Sequence, residues 1–350
     1  MPHGGANDLN GTITVRMGVR DACVAAVDVV SMRLADASKV FVGRTPAQAA
    51  QMVGMLYSLC ARAQTVAALE ALEQAQEITL APQHTSARNV MRLAEMLSQT
   101  ALRLCMDWPR LLRLPPEPVV VRACLGAEAA LERALFADAP WKTPGGASFS
   151  PDMQAALDQI ASLNSLIATT VLRDDGDGLA EQLRRAVSCV HLQSFGALSD
   201  EAKREDGALI RRWNDARVRE ACDVYGLGLR ARLEARLADM TALLQEMAEV
   251  AQGLKSGKAF DQKVRDSGVG EARVQTARGM LTHSVTVKDG LIAEYVIDAP
   301  TDVNFAPDGP VAMGLLGADA TDSGTLMCAA ELHVLAIDPC VRFAVEIRHA

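Results

Sequence analysis

The sequence lacks the short signatures that identify common metal-dependent enzymes. It contains no Cys-x-x-Cys pair, no His-Glu-x-x-His string and no two histidines four residues apart. Because catalytic zinc is usually held by such patterns, a zinc hydrolase is not supported. No local signature favours Ser-His-Asp or Cys-His catalysis either, although sequence alone leaves both open because their residues meet only in the fold.

The sequence also lacks an excess of basic residues and a long apolar run. The 35 basic residues are outnumbered by 43 acidic ones, which gives a net charge of −8. Since binding a phosphate backbone requires a concentrated positive surface, we expect no nucleic-acid partner. The first residues show neither a basic stretch nor an apolar core, and no apolar run approaches the length of a membrane span. We therefore expect a soluble, cytoplasmic protein without membrane insertion.

Eight cysteines are present, but they are scattered singly. In a reducing compartment this spacing argues against a disulfide framework. Most are expected to be buried apolar side chains, the commoner fate of an isolated thiol. They are Cys23, Cys60, Cys105, Cys124, Cys189, Cys222, Cys328 and Cys340.

Helical periodicity dominates the middle of the chain. Of the 350 residues, 49% are hydrophobic, enough to bury a sizeable core. Thr45 can cap a helix that begins at Pro46 and runs to about Gln76, with a break near Cys60. The pattern continues over 86–105, 119–135, 151–171, 178–189 and 206–254, the last broken at Gly226 or Gly228. This predicts a central helical bundle.

Strand patterns occur near both ends. Gly11–Met17 alternates apolar and polar residues, and Thr282–Val287 and Leu291–Ile297 flank an Asp-Gly turn typical of a β-hairpin. A helix is predicted over Ser323–Ala336, followed by a short alternating tail over Val341–Ile347. Since neither end has enough strand for an independent sheet, we expect the two ends to pair beside the bundle. The fold class is mainly α, within α+β.

Four strings near the carboxyl end occur in a fixed order. They are Ala277–His283, Lys288–Tyr295, Ala299–Pro307 and Asp338–Cys340, and the earlier strings Gly43–Ala50, Leu56–Cys60, Arg88-Asn and Arg92–Glu95 accompany them. Together they resemble the large subunit of nickel-iron hydrogenases, and the short chain is similar to the HupK and HoxV type of hydrogenase expression and formation proteins. The resemblance implies one large-subunit-like domain over 1–350, comprising a β-containing segment 1–45, the bundle 46–257 and an α+β segment 258–350.

In the resembled hydrogenases, two Cys-x-x-Cys pairs hold nickel and an iron that carries cyanide and carbon monoxide. Here each pair is halved. Cys60 matches the second cysteine of the first pair and Tyr57 stands at the first, whereas Cys340 matches the first cysteine of the second pair and Phe343 stands at the second. Gln64 replaces a histidine of the family.

Other positions of the resembled site are partly kept. Asn10 stands where the family has an acidic residue for proton transfer, and an amide cannot shuttle protons. Arg278 and Asp338 match charged residues over the metal site, and Pro339 completes Asp-Pro-Cys. For His283 we expect a structural hydrogen bond rather than metal ligation.

The resemblance implies a non-enzymatic maturation scaffold. Cys60 and Cys340 would transiently hold an iron dicyanide carbonyl group, with Arg278 donating toward a cyanide, before its transfer to the hydrogenase large subunit. Partners would be that subunit and hydrogenase maturation proteins, and nickel is not expected. The alternatives are a metal-free docking protein, in which Cys60 is a packing thiol and Arg278 and Asp338 a plain ion pair, and, less favoured, a hydrogenase.

Overall fold

The structure, a computed structural model, describes residues 11–32, 37–137, 141–146, 150–173, 175–189, 191–198, 205–256 and 264–349. Its strands are β1 (Thr12–Arg20), β2 (Cys23–Ser31), β3 (Gly268–Thr276), β4 (Gly279–Lys288), β5 (Leu291–Asp298) and β6 (Arg342–His349). Its helices are α1 (Pro46–Leu56), α2 (Ala61–Ala75), α3 (Pro82–Leu102), α4 (Trp108–Leu112), α5 (Pro118–Phe136), α6 (Met153–Thr170), α7 (Leu179–Cys189), α8 (Ala208–Arg211), α9 (Ala216–Tyr225), α10 (Leu229–Gln252), α11 (Pro300–Asn304), α12 (Pro310–Leu315) and α13 (Ser323–Ile337). Short 3-10 turns lie at Ala37–Phe41 and Ser58–Cys60, and a π turn at Arg103–Asp107.

The first sheet joins the two ends of the chain. Its order is β2-β1-β6, and β1 and β6 run parallel, from Thr12 opposite Arg342 to Val19 opposite His349. Every second residue of β1 is buried, as a strand with one face on a core requires. This face packs on α13 and α12 in a hydrophobic cluster of its own. The predicted pairing of the two ends is confirmed.

The second sheet belongs entirely to the carboxyl-terminal part. Its order is β3-β4-β5, all antiparallel. The predicted hairpin is confirmed: Asp289 and Gly290 both have positive φ, as a tight turn between twisted strands demands. The expectation that this end lacks enough strand for a sheet of its own was wrong, because β3 adds a third strand and α2 covers one face.

The bundle is centred on α10, which packs against α3, α6 and α9. The predicted break is confirmed: α9 is capped by Gly226 with φ 66, and Gly228 caps the start of α10. The predicted break near Cys60 is also confirmed, because the chain bends by 94° between α1 and the segment Ser58–Ala75. Thr45 forms the capping box that starts α1.

Among the helices of the described residues, no single one is both long and apolar enough to cross a membrane. The pair Pro46–Leu56 and Ser58–Ala75, which is bent by 94°, reaches the required length and apolarity only when its two helices are taken together.

Two glycines let β3 approach the backbone of α2 closely. A Cβ at Gly270 would lie 2.0 Å from the carbonyl oxygen of Ala71, and one at Gly268 would lie 2.1 Å from that of Ala75. Both neighbouring atoms are backbone, so a side chain could fit only if the helix moved away from the sheet. The glycines therefore set the position of α2, whose N-cap residue is Cys60.

Gly270→Ala is expected to lower the free energy of unfolding by about 2–3 kcal/mol, because overpacking forces the helix and sheet apart. Urea denaturation checks this. The matched control is Gly126→Ala in α5, where a Cβ would meet no atom within 4 Å and a helical alanine adds up to about 1 kcal/mol of stability. Equal stability of the Gly270 variant and the parent would contradict the close-packing argument.

Candidate functional site

A cavity of about 340 Å³ lies where the ends of the chain meet α2 and the second sheet. Its wall includes Tyr57, Cys60, Gln64, Arg278 and Cys340, five of the eight site residues expected from sequence. Ser31, Ser38, Thr301 and Asp302 add polar groups, and Leu56, Leu281 and Val341 add apolar surface. The structure therefore brings Cys60 and Cys340, from distant parts of the chain, to one cavity.

Cys60 lies at the corner between α1 and α2. It occupies the N-cap position of α2, yet its side chain makes no capping hydrogen bond. Glu95 of α3 replaces it: its carboxylate accepts the backbone N–H of Arg62 at 2.8 Å and of Ala63 at 2.9 Å. Because Glu95 satisfies these helix-end donors, the thiol of Cys60 can line the cavity instead.

Cys340 reaches the cavity by a turn after α13. Asp338 ends the helix in the left-handed conformation, with φ 71. Two residues later the backbone N–H of Cys340 donates to Thr301 Oγ1 at 3.3 Å. Thr301 lies in α11, which begins in the string Ala299–Pro307. Two strings that are separate in sequence thus hold each other at the cavity wall.

Asp338 lies behind the cavity wall rather than in it. Its carboxyl is fully buried, with 0% exposure, and it does not belong to the residues that line the cavity. It binds Arg103 Nε at 2.7 Å, and Arg236 and Arg278 each lie 3.5 Å away. Asp338 therefore acts on the cavity only through Arg278, which the ion pair orients.

These three arginines determine the charge state of Asp338. Burial would raise the pKa of its carboxyl, but Arg103, Arg278 and Arg236 outweigh burial and lower the pKa to about 2. Arg278 also donates from Nη1 to Gln99 Oε1 at 2.6 Å. The guanidinium at the cavity wall is thus fixed by contacts on two sides.

Pro339 and Phe343 are not among the described residues that line the cavity, so the structure does not bring them to the expected binding site. Pro339 is buried in the turn after α13. Phe343 lies opposite Ile13 in the first sheet and packs into the cluster beneath it, because its place in β6 directs the side chain to that face. Asn10 lies outside the described residues.

Two residues that position the site were not predicted from the sequence, although both lie within the strings that carry the resemblance. These are Glu95, which caps α2, and Thr301, which holds Cys340. Arg103 and Arg236 were missed as well, and no local pattern could identify them because they contact Asp338 from distant helices. His283 forms the expected structural hydrogen bonds, to Tyr295 and Gln64.

The thiol of Cys60 is a weak acid in this setting. Burial chiefly, with Glu95 and Cys340 adding, raises its pKa to about 12, while Arg278 and a hydrogen bond from Gln64 oppose the rise. Binding of a metal must therefore expel a proton from Cys60. Within the described residues, no group of three or more His, Cys, Asp or Glu side chains could hold a metal ion, so the cavity offers two sulfurs as its soft ligands.

Alkylation of Cys60 by iodoacetamide is expected to be slow at neutral pH and to accelerate roughly tenfold per pH unit above it, because only the thiolate reacts. The raised pKa leaves the thiolate fraction small until the pH approaches about 12. Peptide mass spectrometry would follow Cys60, with the exposed Cys189 as reference. If the alkylation rate of Cys60 stops rising with pH near neutrality, the pKa of its thiol is not raised and this description of its surroundings is wrong.

Comparison with known proteins gives a consistent result, although no family model matches the chain. The hydrogenase expression/formation protein HupV of Azotobacter chroococcum is 32% identical over 97% of this chain and 99% of its own length. HupK of Azotobacter vinelandii is 31% identical over 97% and 99%. HoxV of Cupriavidus necator is 26% identical over 89% and 90%.

Solved structures share the fold. A chain of the Ni-Fe-Se hydrogenase from D. vulgaris Hildenborough superposes with a TM-score of 0.73 at 15% identity, covering 92% of this chain and 94% of that one. The reduced enzyme from Desulfomicrobium baculatum gives 0.68 at 14% identity, over 93% and 95%. The hydrogenase-like, mainly α fold expected from sequence is confirmed.

Proposed function

The chain belongs to the family of hydrogenase expression/formation proteins that includes HupV and HupK, and we propose that it is a maturation scaffold for nickel-iron hydrogenase. In this role Cys60 and Cys340 transiently hold the iron dicyanide carbonyl group and pass it to the hydrogenase large subunit. Hydrogenase maturation proteins would supply the group. The group is cargo, and nickel has no part in the proposal.

One observation carries the proposal: Cys60 and Cys340 line the same cavity. The position of Tyr57 at the same wall explains why the site is reduced, because a phenol stands where the resembled enzymes have a further thiol. Two thiolates suffice to hold iron that already carries diatomic ligands, but a second metal would need additional bridging sulfurs. The donor set fits a site that accepts one iron.

The positive charge of the arginines beside the cavity favours an electron-rich ligand. Three guanidinium groups converge on the carboxylate of Asp338, and one of them, Arg278, lines the cavity. A bound cyanide exposes a nitrogen lone pair, which a fixed guanidinium can meet with an N–H donor. Arg278 would orient the group in this way.

The small donor set supports transient binding. The cavity wall carries two sulfurs, those of Cys60 and Cys340, while Tyr57 and Gln64 stand where the resembled enzymes have a thiol and a histidine. We accordingly propose that the protein has no hydrogenase activity of its own.

Infrared spectroscopy after anaerobic co-production with the maturation proteins tests the function. Cyanide and carbonyl bands are expected on the purified protein, without hydrogen uptake or evolution. A metal-free docking protein is the second candidate, and it is favoured by the finding that no group of three or more His, Cys, Asp or Glu side chains within the described residues could hold a metal ion. Reproducible absence of both bands and of iron would select it, and nickel-dependent turnover would reject both candidates.

A further inference from the structure

Two sides of the cavity wall are joined from behind by a short segment that precedes α8. One side is the turn after β3, which carries Arg278, and the other is α11, whose Thr301 accepts the backbone N–H of Cys340. Asp206 and Asn304 make the join, and neither belongs to the described residues that line the cavity. Any effect of these two residues on the cavity therefore passes through the wall.

Asn304, the last residue of α11, bonds the backbone of Asp206 in both directions. Its Oδ1 accepts the N–H of Asp206 at 2.9 Å, and its Nδ2 donates to the carbonyl oxygen of Asp206 at 2.7 Å. The orientation of the amide is fixed, because a backbone N–H can only donate and a backbone carbonyl can only accept. Asn304 is 1% exposed, so water cannot readily replace either bond.

The side chain of Asp206 holds the turn on the other side of the wall. Its Oδ2 accepts the backbone N–H of Met280 at 2.6 Å. The carboxyl lies against Gly279, where φ is 134° and a Cβ would come within 2.3 Å of Asp206 Cγ. Glycine is needed at this position for the carboxyl to reach the turn. The backbone of Arg278, the preceding residue, is thereby held in place.

The segment that contains Asp206 is itself anchored to the bundle. Glu205 Oε2 accepts from Arg232 of α10, from Nε at 2.9 Å and from Nη2 at 2.8 Å, and both side chains are buried. Arg211 of α8 donates to the carbonyl oxygen of Thr276 at 3.0 Å and so holds the start of the same turn. The turn and α11 are therefore bonded to a fixed part of the bundle.

We propose that Asp206 and Asn304 are positioning residues that fix the distance between the guanidinium of Arg278 and the sulfur of Cys340, so that Arg278 reaches a cyanide of the bound iron group. The proposal rests on the scaffold function. A hydrogen bond weakens steeply when its geometry is disturbed, and its two sides here come from different elements. Asp338 orients the guanidinium itself, whereas Asp206 and Asn304 fix the backbone from which that side chain extends.

The first test uses the full-length protein without iron and measures backbone hydrogen exchange by mass spectrometry. Asn304→Ala removes both bonds to Asp206. It is expected to speed exchange roughly tenfold in two peptides at once, those that contain Met280 and Cys340, which is the effect of losing one net hydrogen bond. Peptides from α5 should exchange as in the parent protein, because only a general loss of stability would speed all peptides alike.

The matched control is Asn164→Ala on the exposed face of α6, which should change neither peptide. Asp206, which is partly exposed, provides a second pair of variants in case Asn304→Ala does not fold. Asp206→Ala should speed exchange around Met280, whereas Asp206→Asn should keep the parental rate, because its amide oxygen still accepts that N–H. Parental exchange around Met280 in Asp206→Ala, or around Cys340 in a folded Asn304→Ala, would overturn the proposal.

The second test adds the iron group and separates positioning from mere structural support. Asn304→Ala should hold as much iron as the parent, while its cyanide bands shift in the direction that Arg278→Leu produces. The double variant should show no shift beyond that of Arg278→Leu, because both changes act on the same hydrogen bond. Unshifted cyanide bands in Asn304→Ala, or additive shifts in the double variant, would show that Asn304 does not act through Arg278. A parent protein without bands would reject the scaffold function, and the exchange rates would still decide whether Asp206 and Asn304 join the two sides of the wall.

Discussion

Cys340→Ala is expected to abolish the cyanide and carbonyl bands and to reduce maturation of the partner hydrogenase to the level found without this protein. The change removes one of the two thiols at the cavity, and one remaining sulfur cannot chelate the iron. Folding should be unaffected, because the hydrogen bond that holds the segment uses the backbone N–H of residue 340, which alanine keeps. Infrared spectra, iron content and hydrogenase activity in cells measure the effect.

The matched control for this variant is Cys189→Ala. Cys189 is exposed at the end of α7, away from the cavity wall, so bands and maturation should equal those of the parent. If Cys340→Ala supports maturation fully, the thiol is not a ligand and the docking role takes its place. If maturation is lost while the bands stay normal, Cys340 acts in the transfer of the iron group and not in holding it.

Asp338→Ala is expected to lower the free energy of unfolding by about 3–5 kcal/mol, because removing one partner of a buried ion network leaves the other charges uncompensated. Arg236 is fully buried and donates to the carbonyl of Ala336 at 2.9 Å. Arg103 would lose its 2.7 Å bond. Urea denaturation, monitored by circular dichroism, measures the loss.

Asp28→Ala is the control for the charge itself. Asp28 is 68% exposed and 3.7 Å from Arg16, so its removal should cost at most about 0.5 kcal/mol. Asp338→Asn should lie between the two, because the amide oxygen still accepts from Arg103 while the charge is gone. A similar stability for Asp338→Ala and Asp28→Ala would show that the arginines find other compensation, and the assigned role of Asp338 would be wrong.

Cys340→Ala and Asp338→Ala test two different contributions to the cavity. Cys340 contributes a ligand, whereas Asp338 contributes a structure that keeps Arg278 at the wall. Partial unfolding in Asp338→Ala would also remove the bands, so stability must be measured beside them. Only loss of the bands in a stable variant identifies a residue that acts on the iron group itself.

Local sequence patterns were enough to predict most of the helices and strands. Thr45 and Pro46 started a helix where capping chemistry requires one, and Gly226 with Gly228 separated α9 from α10. The Asp289-Gly290 turn identified its hairpin. In each case the signal is local, since caps and turns are decided by the residues that form them.

The strands β2 and β3 escaped prediction for a physical reason. Much of β2 is not buried, so it lacks the clean alternation of β1. β3 carries Gly268 and Gly270, residues that weaken strand propensity in isolation. Their role is visible only in the tertiary structure, where they allow the backbone of α2 to pack closely against β3.

The sequence by itself determined the helical bundle and the hairpin, and its resemblance to nickel-iron hydrogenases indicated Cys60 and Cys340 as candidate ligands and the reduced number of thiols near them. Only the tertiary structure decided that the two cysteines share a cavity, that Asp338 lies behind Arg278, and that Phe343 packs elsewhere. Periodicity and caps depend on neighbours along the chain, whereas these contacts join distant residues. They follow from how helices and sheets bury their apolar faces together, which no local pattern records.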